Sequence, residues 1–452
     1  MPSRVSALSL YPSTGRLMPS SPPLAGPIVL AFSGGLDTSF CVPYLAETAG
    51  VPIHTVTVDT GGFSADDLDA IEERALGLGA ASHTTVDARA ELFDRVLQYL
   101  VKGNVLRGGV YPLCVGSERV VQAAALVREA ARLGAAAVAH GSTGAGNDQV
   151  RFDTALRLLA TTELDTPVEI LAPIRSLGLS RADSTAYLQE RGVEVAEKTT
   201  AYSVNKGLWG TTIGGGETHT PDGIVPEDAW PDTVSPADAP DEPLRLTIEF
   251  EHGVPVALDG EALEPVALIE QLTALGAAHG VGRGVHVGDT ILGIKGRVAF
   301  EAPAALTLIA AHRELEKLVL TRWQQHHKAH LADVYGMLVH EGQFFDPALR
   351  DIEAFLDSSQ QRVTGTVTVE LFKGAARVLG ASSPFSLFDT DVARYGEDNP
   401  LWDGRDAEGF TRLYGVQALL AAQAAPTPVA PSGGWPRPSG EALSPAHLLA
   451  YS

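Results

Sequence analysis

The stretch Ala31-Phe32-Ser33-Gly34-Gly35-Leu36-Asp37-Thr38-Ser39 decides the fold. It joins an apolar, strand-like run over 28–32 to the start of a helix pattern. The two glycines let the backbone turn tightly and leave N–H groups bare, and a helix N-terminus adds a partial positive charge. The hydroxyl side chains of the stretch add donors, and Asp37 supplies an anion that could hold Mg²⁺ against phosphates. The stretch therefore predicts a phosphate-binding loop with Asp37 as a metal ligand.

Two competing phosphate-binding motifs are absent from the sequence. The nearest approach to G-x-x-x-x-G-K-[ST] runs over 288–295, and Ile294 stands where that motif requires lysine. No G-x-G-x-x-G opens a helix pattern. The glycine pair at 34–35 is thus the principal candidate for phosphate binding.

Short apolar runs alternate with helical patterns on both sides of this loop, which is typical of βαβ units. Strands are predicted over 28–32, 54–58, 84–86, 136–139 and 168–172, and helices over 66–78 and 91–101. The pattern predicts an α/β fold with an open, doubly wound parallel sheet. Ligands of such sheets bind beyond the carboxyl ends of the strands, so the loops after Phe32, Val58 and His140 are the expected site.

Ser180 and Asp183 resemble a capping box that opens a helix ending near Gly192. Because the pattern changes there, we place a nucleotide-binding domain over 27–190 and an α+β domain over 191–416. The second domain is predicted to hold a glycine-rich loop over 207–217, an acidic stretch over 221–243, a hairpin of 244–251 with 254–258, and one long helix over 303–339. His326, His327 and His330 on that helix have no interleaved acid or cysteine, which favours solvated histidines over a metal site.

The two ends have a different composition. Residues 1–26 are rich in Ser and Pro, with two Arg and no acid. They are interpreted as a disordered leader, with a true start at Met18 or an organelle transit peptide as alternatives. Residues 417–452 are interpreted as a flexible low-complexity tail.

Composition excludes several classes of protein. The 452 residues hold 33 Lys plus Arg against 55 Asp plus Glu, a net charge of −22 that disfavours nucleic-acid and anionic-membrane partners. No apolar run approaches the roughly 20 residues that a membrane helix needs. The two cysteines, Cys41 and Cys114, form no C-x-x-C pair, which fits a reducing cytoplasm.

The loop over 33–39 resembles that of the N-type ATP pyrophosphatases, which cut ATP between the α and β phosphates and adenylylate a substrate oxygen. A second stretch, HGSTGAGNDQVRF over 140–152, resembles the signature of the argininosuccinate synthase family. Its polar residues suit an amino acid, because Asp148 and Arg151 can partner the two charged ends of a zwitterion. The resemblance covers about residues 28–416 and implies an α/β domain followed by a synthetase domain.

The resemblance also implies site roles. Asp37, Asp148 and Arg151 are the expected catalytic residues. ATP is expected on Ala31, Phe32, Ser33, Gly34, Gly35, Leu36, Asp37, Thr38, Ser39 and Gly141; aspartate on Thr143, Asn147 and Asp148; citrulline on Tyr111, Ser117, Asn147, Arg151, Ser203 and Thr212. Ser117 is displaced by one position from the family serine.

Two positions depart from the family. A glutamate and a tyrosine that contact citrulline fall on Gly288 and Phe300. A pocket without that acid should hold a free α-amine less well, unless the adjacent Asp289 replaces it. The substrate is therefore citrulline held by other residues or, alternatively, an N-acylated citrulline.

The implied reaction is a condensation of citrulline and aspartate with ATP and Mg²⁺ through a citrullyl-adenylate, giving argininosuccinate, AMP and pyrophosphate. The family also implies a homotetramer. Three other functions compete with this one. A tRNA thiolase would want basic surface and reactive cysteines, and a GMP or asparagine synthetase would bring a glutaminase domain. An inactive nucleotide-binding regulator is the third, against which Thr143, Asn147, Asp148 and Arg151 argue.

Overall fold

The structure, a computed structural model, describes residues 24–195, 202–392 and 401–424. Most of the predicted leader and most of the predicted tail lie outside these ranges. The chain divides after Phe385 into two units, and the first unit contains all three sheets. None of the helices in the described ranges is long and apolar enough to cross a membrane.

The first sheet has five parallel strands in the order β3-β2-β1-β4-β5. This confirms the doubly wound α/β prediction. The strand order reverses between β1 and β4, and open α/β sheets bind ligands at that point. The strands are β1 Ile28–Ala31, β2 Ile53–Asp59, β3 Ser82–Asp87, β4 Ala137–Ala139 and β5 Glu169–Leu171.

Helices flank this sheet, and two of them begin with capping boxes. The Ser180 hydroxyl accepts from the Asp183 backbone N–H, and the Asp183 carboxylate accepts from the Ser180 N–H, as predicted. The predicted helix over 91–101 is present, but one π-helical turn, Phe93–Leu97, joins its two parts. The helices are α1 Leu36–Ala49, α2 Ala65–Gly77, α3 Arg89–Leu92, α4 Gln98–Gly103, α5 Arg119–Leu133, α6 Asp148–Glu163, α7 Pro173–Leu177 and α8 Arg181–Gln189.

The central strand β1 is buried on both faces. Val29 belongs to one apolar core cluster, and Ile28 and Leu30 belong to the other. Because successive side chains of a strand point to opposite faces, a strand covered on both sides must be apolar throughout. This burial anchors the loop that follows Ala31.

The second half contains two antiparallel sheets, which confirms the α+β prediction. Their orders are β10-β9-β8-β13-β14 and β11-β12-β7-β6. The strands are β6 Tyr202–Gly207, β7 Gly210–Gly215, β8 Leu244–Glu251, β9 Val254–Leu258, β10 Glu261–Ala262, β11 Arg283–Asp289, β12 Lys295–Glu301, β13 Gly365–Phe372 and β14 Ala375–Ser382.

The glycine-rich segment over 207–217 is not a loop throughout, so that prediction was wrong. Strand β7 runs through it and pairs with β6 on one side and β12 on the other. Thr211, Thr212 and Ile213 are buried there. Pairing on both sides, with the neighbouring β6 and with the distant β12, overrides the low strand preference of glycine.

The predicted single helix over 303–339 is two helices. Thr321 is the N-cap of the second helix and forms a capping box with Gln324. Because the cap's side chain bonds the backbone where a helical hydrogen bond would otherwise form, a new helix starts here. His326, His327 and His330 are exposed on it, as expected of solvated histidines. The helices of this half are α9 Pro265–Ala278, α10 Pro303–Val319, α11 Arg322–His340 and α12 Pro347–Gln360.

The second unit contains α13 Gly404–Tyr414 and α14 Val416–Ala424. Helix α14 extends into the segment predicted as a low-complexity tail. Neither helix has a buried residue.

Candidate active site

A cleft of about 970 Å³ opens at the carboxyl edge of the parallel sheet, between β1 and β4. Loops of the first half form one wall, and β6, β7, β11 and β12 of the second half form the other. The loops after Phe32, Val58 and His140, which were predicted to hold ligands, all line this cleft.

The loop after β1 presents backbone N–H groups to the cleft. Gly34 has φ +71°, and a Cβ there would lie 3.0 Å from Cγ1 of Ile71, so both conformation and space favour glycine. Gly35 is the N-cap of α1 and offers no side-chain cap, which leaves the N–H groups of the first turn for a ligand. The Thr38 hydroxyl donates to the Gly35 carbonyl at 3.2 Å and fixes the turn.

Gly34 and Ser39 support this loop without lining the cleft. The buried Ser39 hydroxyl accepts a hydrogen bond from Nε of Arg74 at 2.8 Å. The other predicted ATP contacts of the loop line the cleft: Ala31, Phe32, Ser33, Gly35, Leu36, Asp37 and Thr38.

Asp37 is the acidic residue of this loop. Partial burial raises the pKa of its carboxyl, and Arg181 opposes that rise. Within the described ranges, no group of three or more His, Cys, Asp or Glu side chains could hold a metal ion. Any cation at Asp37 would thus take most of its ligands from phosphate and water.

The loop after β4 packs directly on the loop after β1. A Cβ at Gly141 would lie 2.9 Å from Cγ2 and 3.2 Å from the backbone nitrogen of Thr38, so glycine permits the close approach. His140, at the end of β4, is buried, and its Nε2 lies 2.8 Å from Asp153. Asp153 also pairs with Arg175 at 3.0 Å. These contacts hold the two loops in one arrangement.

Asp148 lies between two arginines. Its carboxylate pairs with Nε of Arg119 at 3.0 Å and with Nη1 of Arg151 at 2.9 Å. About 39% of its side chain is exposed, into the cleft. Burial raises the pKa of Asp148. Arg119 and Arg151 lower this pKa by more than burial raises it, so it lies below its usual range.

Glu118 is a cleft residue that the sequence did not suggest. Its Oε2 accepts from the Thr60 hydroxyl at 3.0 Å and lies 3.7 Å from Nη1 of Arg119. Burial raises the pKa of Glu118 to about 8 despite Arg119. Gly207 packs against it, since a Cβ at that position would lie 1.7 Å from Oε1.

Residues of the second half of the chain hydrogen-bond to Asn147 and Arg151 of the predicted amino-acid site. The Asn147 side-chain oxygen accepts from the Ile291 backbone N–H at 2.9 Å. Nε of Arg151 donates to the His340 carbonyl at 2.8 Å, and its Nη2 donates to Nδ1 of His340 at 3.0 Å. Asn147 and Arg151 therefore line the cleft in fixed orientations.

Tyr111 belongs to an aromatic group on the same wall. Its ring stacks on His286 at 5.5 Å between centroids and contacts Phe300 at 5.2 Å. A Cβ at Gly284 would lie 2.3 Å from the Phe300 ring, and one at Gly288 would lie 2.5 Å from Nε2 of His286. The absence of a side chain at Gly288 thus leaves room for an imidazole.

The remaining predicted contacts divide into two groups. Ser117 is buried, does not line the cleft and donates its hydroxyl to the Leu113 carbonyl at 3.1 Å, so we assign it no substrate contact. Asp289 pairs with Lys295 at 2.7 Å, which satisfies the carboxylate expected to replace the family acid. Gly141, Tyr111, Thr143, Asn147, Asp148, Arg151, Ser203 and Thr212 all line the cleft.

Both halves of the chain match domains of one known protein family. The arginosuccinate synthase N-terminal HUP domain matches residues 27–194, and the arginosuccinate synthase C-terminal domain matches residues 202–421. The chain belongs to the argininosuccinate synthase family. The family assignment made from the two loop motifs is therefore confirmed.

Relatives support the family over nearly their full length. The argininosuccinate synthase of Xanthomonas campestris is 44% identical over 88% of this chain and 98% of its own. Those of Methanocaldococcus jannaschii and Pyrococcus furiosus are each 40% identical over 87% of this chain, and over 97% and 94% of their own. A solved NH3-dependent NAD synthetase from Campylobacter jejuni is 11% identical over 37% of this chain and 64% of its own, with a TM-score of 0.26.

Family membership makes this protein an ATP-using ligase of the argininosuccinate synthase type. It does not favour an inactive regulator or an N-acylated substrate. The cleft residues that motif reasoning missed include Arg107, Glu118, Arg119 and His286. Only their placement in the cleft identifies them.

Proposed function

We propose that the protein condenses citrulline with aspartate in this cleft and cleaves ATP to AMP and pyrophosphate, with Mg²⁺ bound at Asp37. One observation carries the proposal: the phosphate loop and the cluster of Asn147, Asp148 and Arg151 line a single cleft. The close packing of Gly141 on Thr38 supports it, because the nucleotide and amino-acid sites then share a wall.

ATP would place its phosphates at the N-terminus of α1, on the bare N–H groups after Gly35 and the hydroxyl of Ser33. Asp37 fits Mg²⁺ chemically, since Mg²⁺ often takes one or two protein carboxylates and completes its shell with phosphate and water. The bound ion supplies neutralisation of charge on the phosphate oxygens. The chain itself contributes orientation and N–H donors.

The two amino acids would lie on either side of Asn147. Thr143, Asn147 and Asp148 are assigned to aspartate, and Tyr111, Asn147, Arg151, Ser203 and Thr212 to citrulline. The lowered pKa of Asp148 suits a counter-ion for the aspartate ammonium better than a proton acceptor.

In the first step, the ureido oxygen of citrulline bonds to the α-phosphorus of ATP. The bond between that phosphorus and the departing pyrophosphate breaks. The N–H groups at the start of α1 would hold the departing pyrophosphate. The aspartate amine then bonds to the ureido carbon, loses a proton, and AMP leaves with the former ureido oxygen. Positioning and electrostatics carry both steps, because no side chain forms a covalent intermediate.

We also propose that the chain forms a homo-oligomer, a tetramer as the family implies. Its proposed location is the cytoplasm. Helix α13 supports the oligomer, since Phe410, Leu413 and Tyr414 are 62%, 75% and 70% exposed. Cys41 and Cys114 are buried free thiols, which suits a reducing compartment.

Pyrophosphate release from MgATP tests the function. We expect release only with citrulline, and AMP with argininosuccinate only when aspartate is added. Asp37→Asn should lower kcat by about 100-fold, since it removes a charged ligand facing the phosphates. The exposed Asp66→Asn is the matched control. Release from ATP without citrulline, or an undiminished Asp37→Asn, would contradict the proposal.

A further inference from the structure

Six lysine and arginine side chains line the cleft, and Arg181 differs from the other five in having no protein partner among the described residues. The other five are held by carboxylates or backbone carbonyls: Arg107 by Asp289, Arg119 and Arg151 by Asp148, Lys206 by Asp232, and Arg297 by Glu217 and Thr220. Arg181 is also exposed, so a ligand in the cleft can reach its guanidinium.

Helix α8 begins at Arg181 and runs parallel to α1. The Tyr187 ring packs on Phe40 with 4.6 Å between centroids, and further along both segments Arg191 pairs with Glu47 at 2.8 Å. Because these contacts advance in the same direction along the two segments, the first turn of α8 lies beside the first turn of α1. The side chain of Arg181 therefore starts next to the phosphate loop.

The carboxyl of Asp37, in the first turn of α1, reports the same proximity. Burial raises the pKa of Asp37, and the positive charge of Arg181 lowers it. The two side chains form no ion pair, so the carboxylate does not hold the guanidinium. A ligand in the loop would meet a cation that is free to bind it.

Arg181 stands at an unfavourable place for a cation. It is the first residue of α8, where the helix macrodipole leaves a partial positive charge. The capping box of Ser180 and Asp183 fixes this turn. A bound anion would compensate both the side chain and the end of the helix.

The phosphate loop has no cation of its own. Residues 31–39 contain no Lys, Arg or His, and their one charged side chain is that of Asp37. A triphosphate brings several negative charges, of which one Mg²⁺ neutralises only a part. A guanidinium suits the rest, because its planar fork can donate two hydrogen bonds to phosphate oxygens.

The two faces of the parallel sheet separate the phosphates of ATP. Tyr111, assigned to citrulline, belongs to the core cluster on one face, and Tyr187 of α8 packs against the cluster on the other. The α-phosphorus must face the ureido oxygen of citrulline. The β- and γ-phosphates would then extend toward α8.

We propose that Arg181 binds the β- and γ-phosphates of ATP and stabilises the pyrophosphate as it leaves. The inference rests on the proposed function and deepens it. The α-phosphate stays with the adenylate, so Arg181 should contribute to the binding of pyrophosphate and not to that of AMP.

Competition of these two products with MgATP tests the assignment. The inhibition constants of inorganic pyrophosphate and of AMP are measured in the parent, Arg181→Gln and Arg181→Lys. Arg181→Gln should raise the constant for pyrophosphate about 10- to 100-fold, the effect of losing hydrogen bonds to a charged group, and change that for AMP less than about twofold. Arg181→Lys keeps the charge but not the fork, so the rise should be smaller.

Arg191→Gln is the matched control, because it removes the same charge beyond the far end of α8, where Arg191 pairs with Glu47. Both inhibition constants should stay within about twofold of the parent values. Thermal unfolding separates loss of binding from loss of folding. Arg181→Gln should not lower the Tm, since it removes a positive charge from the positive end of a helix.

An unchanged constant for pyrophosphate in Arg181→Gln, with normal argininosuccinate formation by the parent, would overturn the role of Arg181 alone. An equal rise of the constants for pyrophosphate and AMP would overturn it too, because the change would then affect the whole nucleotide site. No argininosuccinate from the parent would overturn the proposed function and this inference with it.

Discussion

The buried carboxyl of Glu118 couples folding to pH at the scale of single residues. Burial raises its pKa from 4.5 to about 8. The folded chain therefore keeps a proton that the unfolded chain releases. The resulting stabilisation is fully present below pH 4.5 and is lost as the pH rises toward 8.

Glu118→Gln removes this dependence. Between pH 6 and pH 9, the Tm of the parent should fall several degrees more than that of the variant, because an amide loses no proton. Thermal unfolding at both pH values measures the difference. Glu73→Gln, at an exposed position of α2, should behave as the parent does. Parallel curves for parent and Glu118→Gln would show that Glu118 is charged in the fold.

Sequence motifs predicted some residues of the cleft but not others. Asp37 and Asn147, which line the cleft, were predicted because each stands in a short stretch whose neighbours indicate its chemistry. Glu118 and His286 were not found, because distant residues define their surroundings: Gly207 packs on the first and Gly288 on the second. No local pattern contains those pairs.

At the scale of elements, the β6–β7 turn joins the two halves of the first unit. The Leu208 N–H donates to the Thr60 carbonyl at 2.9 Å, and Nε1 of Trp209 donates to the Pro112 carbonyl at 2.9 Å. Gly61 makes the approach possible, since it has φ +91° and a Cβ would lie 2.6 Å from the Leu208 nitrogen.

Gly61→Ala should therefore destabilise the protein by more than Gly79→Ala does. Gly79 has nearly the same φ, +95°, but open space around its Cα, so its variant reports backbone strain alone, about 1 kcal/mol. Urea unfolding of both variants gives the difference that belongs to the contact with Leu208. Equal losses would mean that the turn adjusts freely.

Elements also show where sequence patterns fail. The parallel strands were predicted because burial on both faces demands continuous apolar runs. Strand β7 was missed because its glycines resemble a loop and its partners, β6 and β12, supply the pairing. The break at Thr321 was missed because the apolar periodicity continues across a cap.

At the scale of the whole molecule, the uncovered apolar residues of α13 bear on assembly. Phe410→Glu combined with Leu413→Glu should lower the mass measured by light scattering from that of an oligomer toward that of one chain, because charge opposes burial of this helix against another chain. A matched Arg405→Glu change, on an exposed polar position of the same helix, should leave the mass unchanged. A parent that is already monomeric would contradict the proposed assembly.

Transfer of ¹⁸O from citrulline tests the central claim most directly. With the ureido oxygen labelled, adenylylation of that oxygen requires one ¹⁸O in the phosphate of each AMP formed together with argininosuccinate. Mass spectrometry of AMP reads this out in a single turnover. Unlabelled AMP would contradict the account, because the ureido oxygen would then never have bonded to the α-phosphorus.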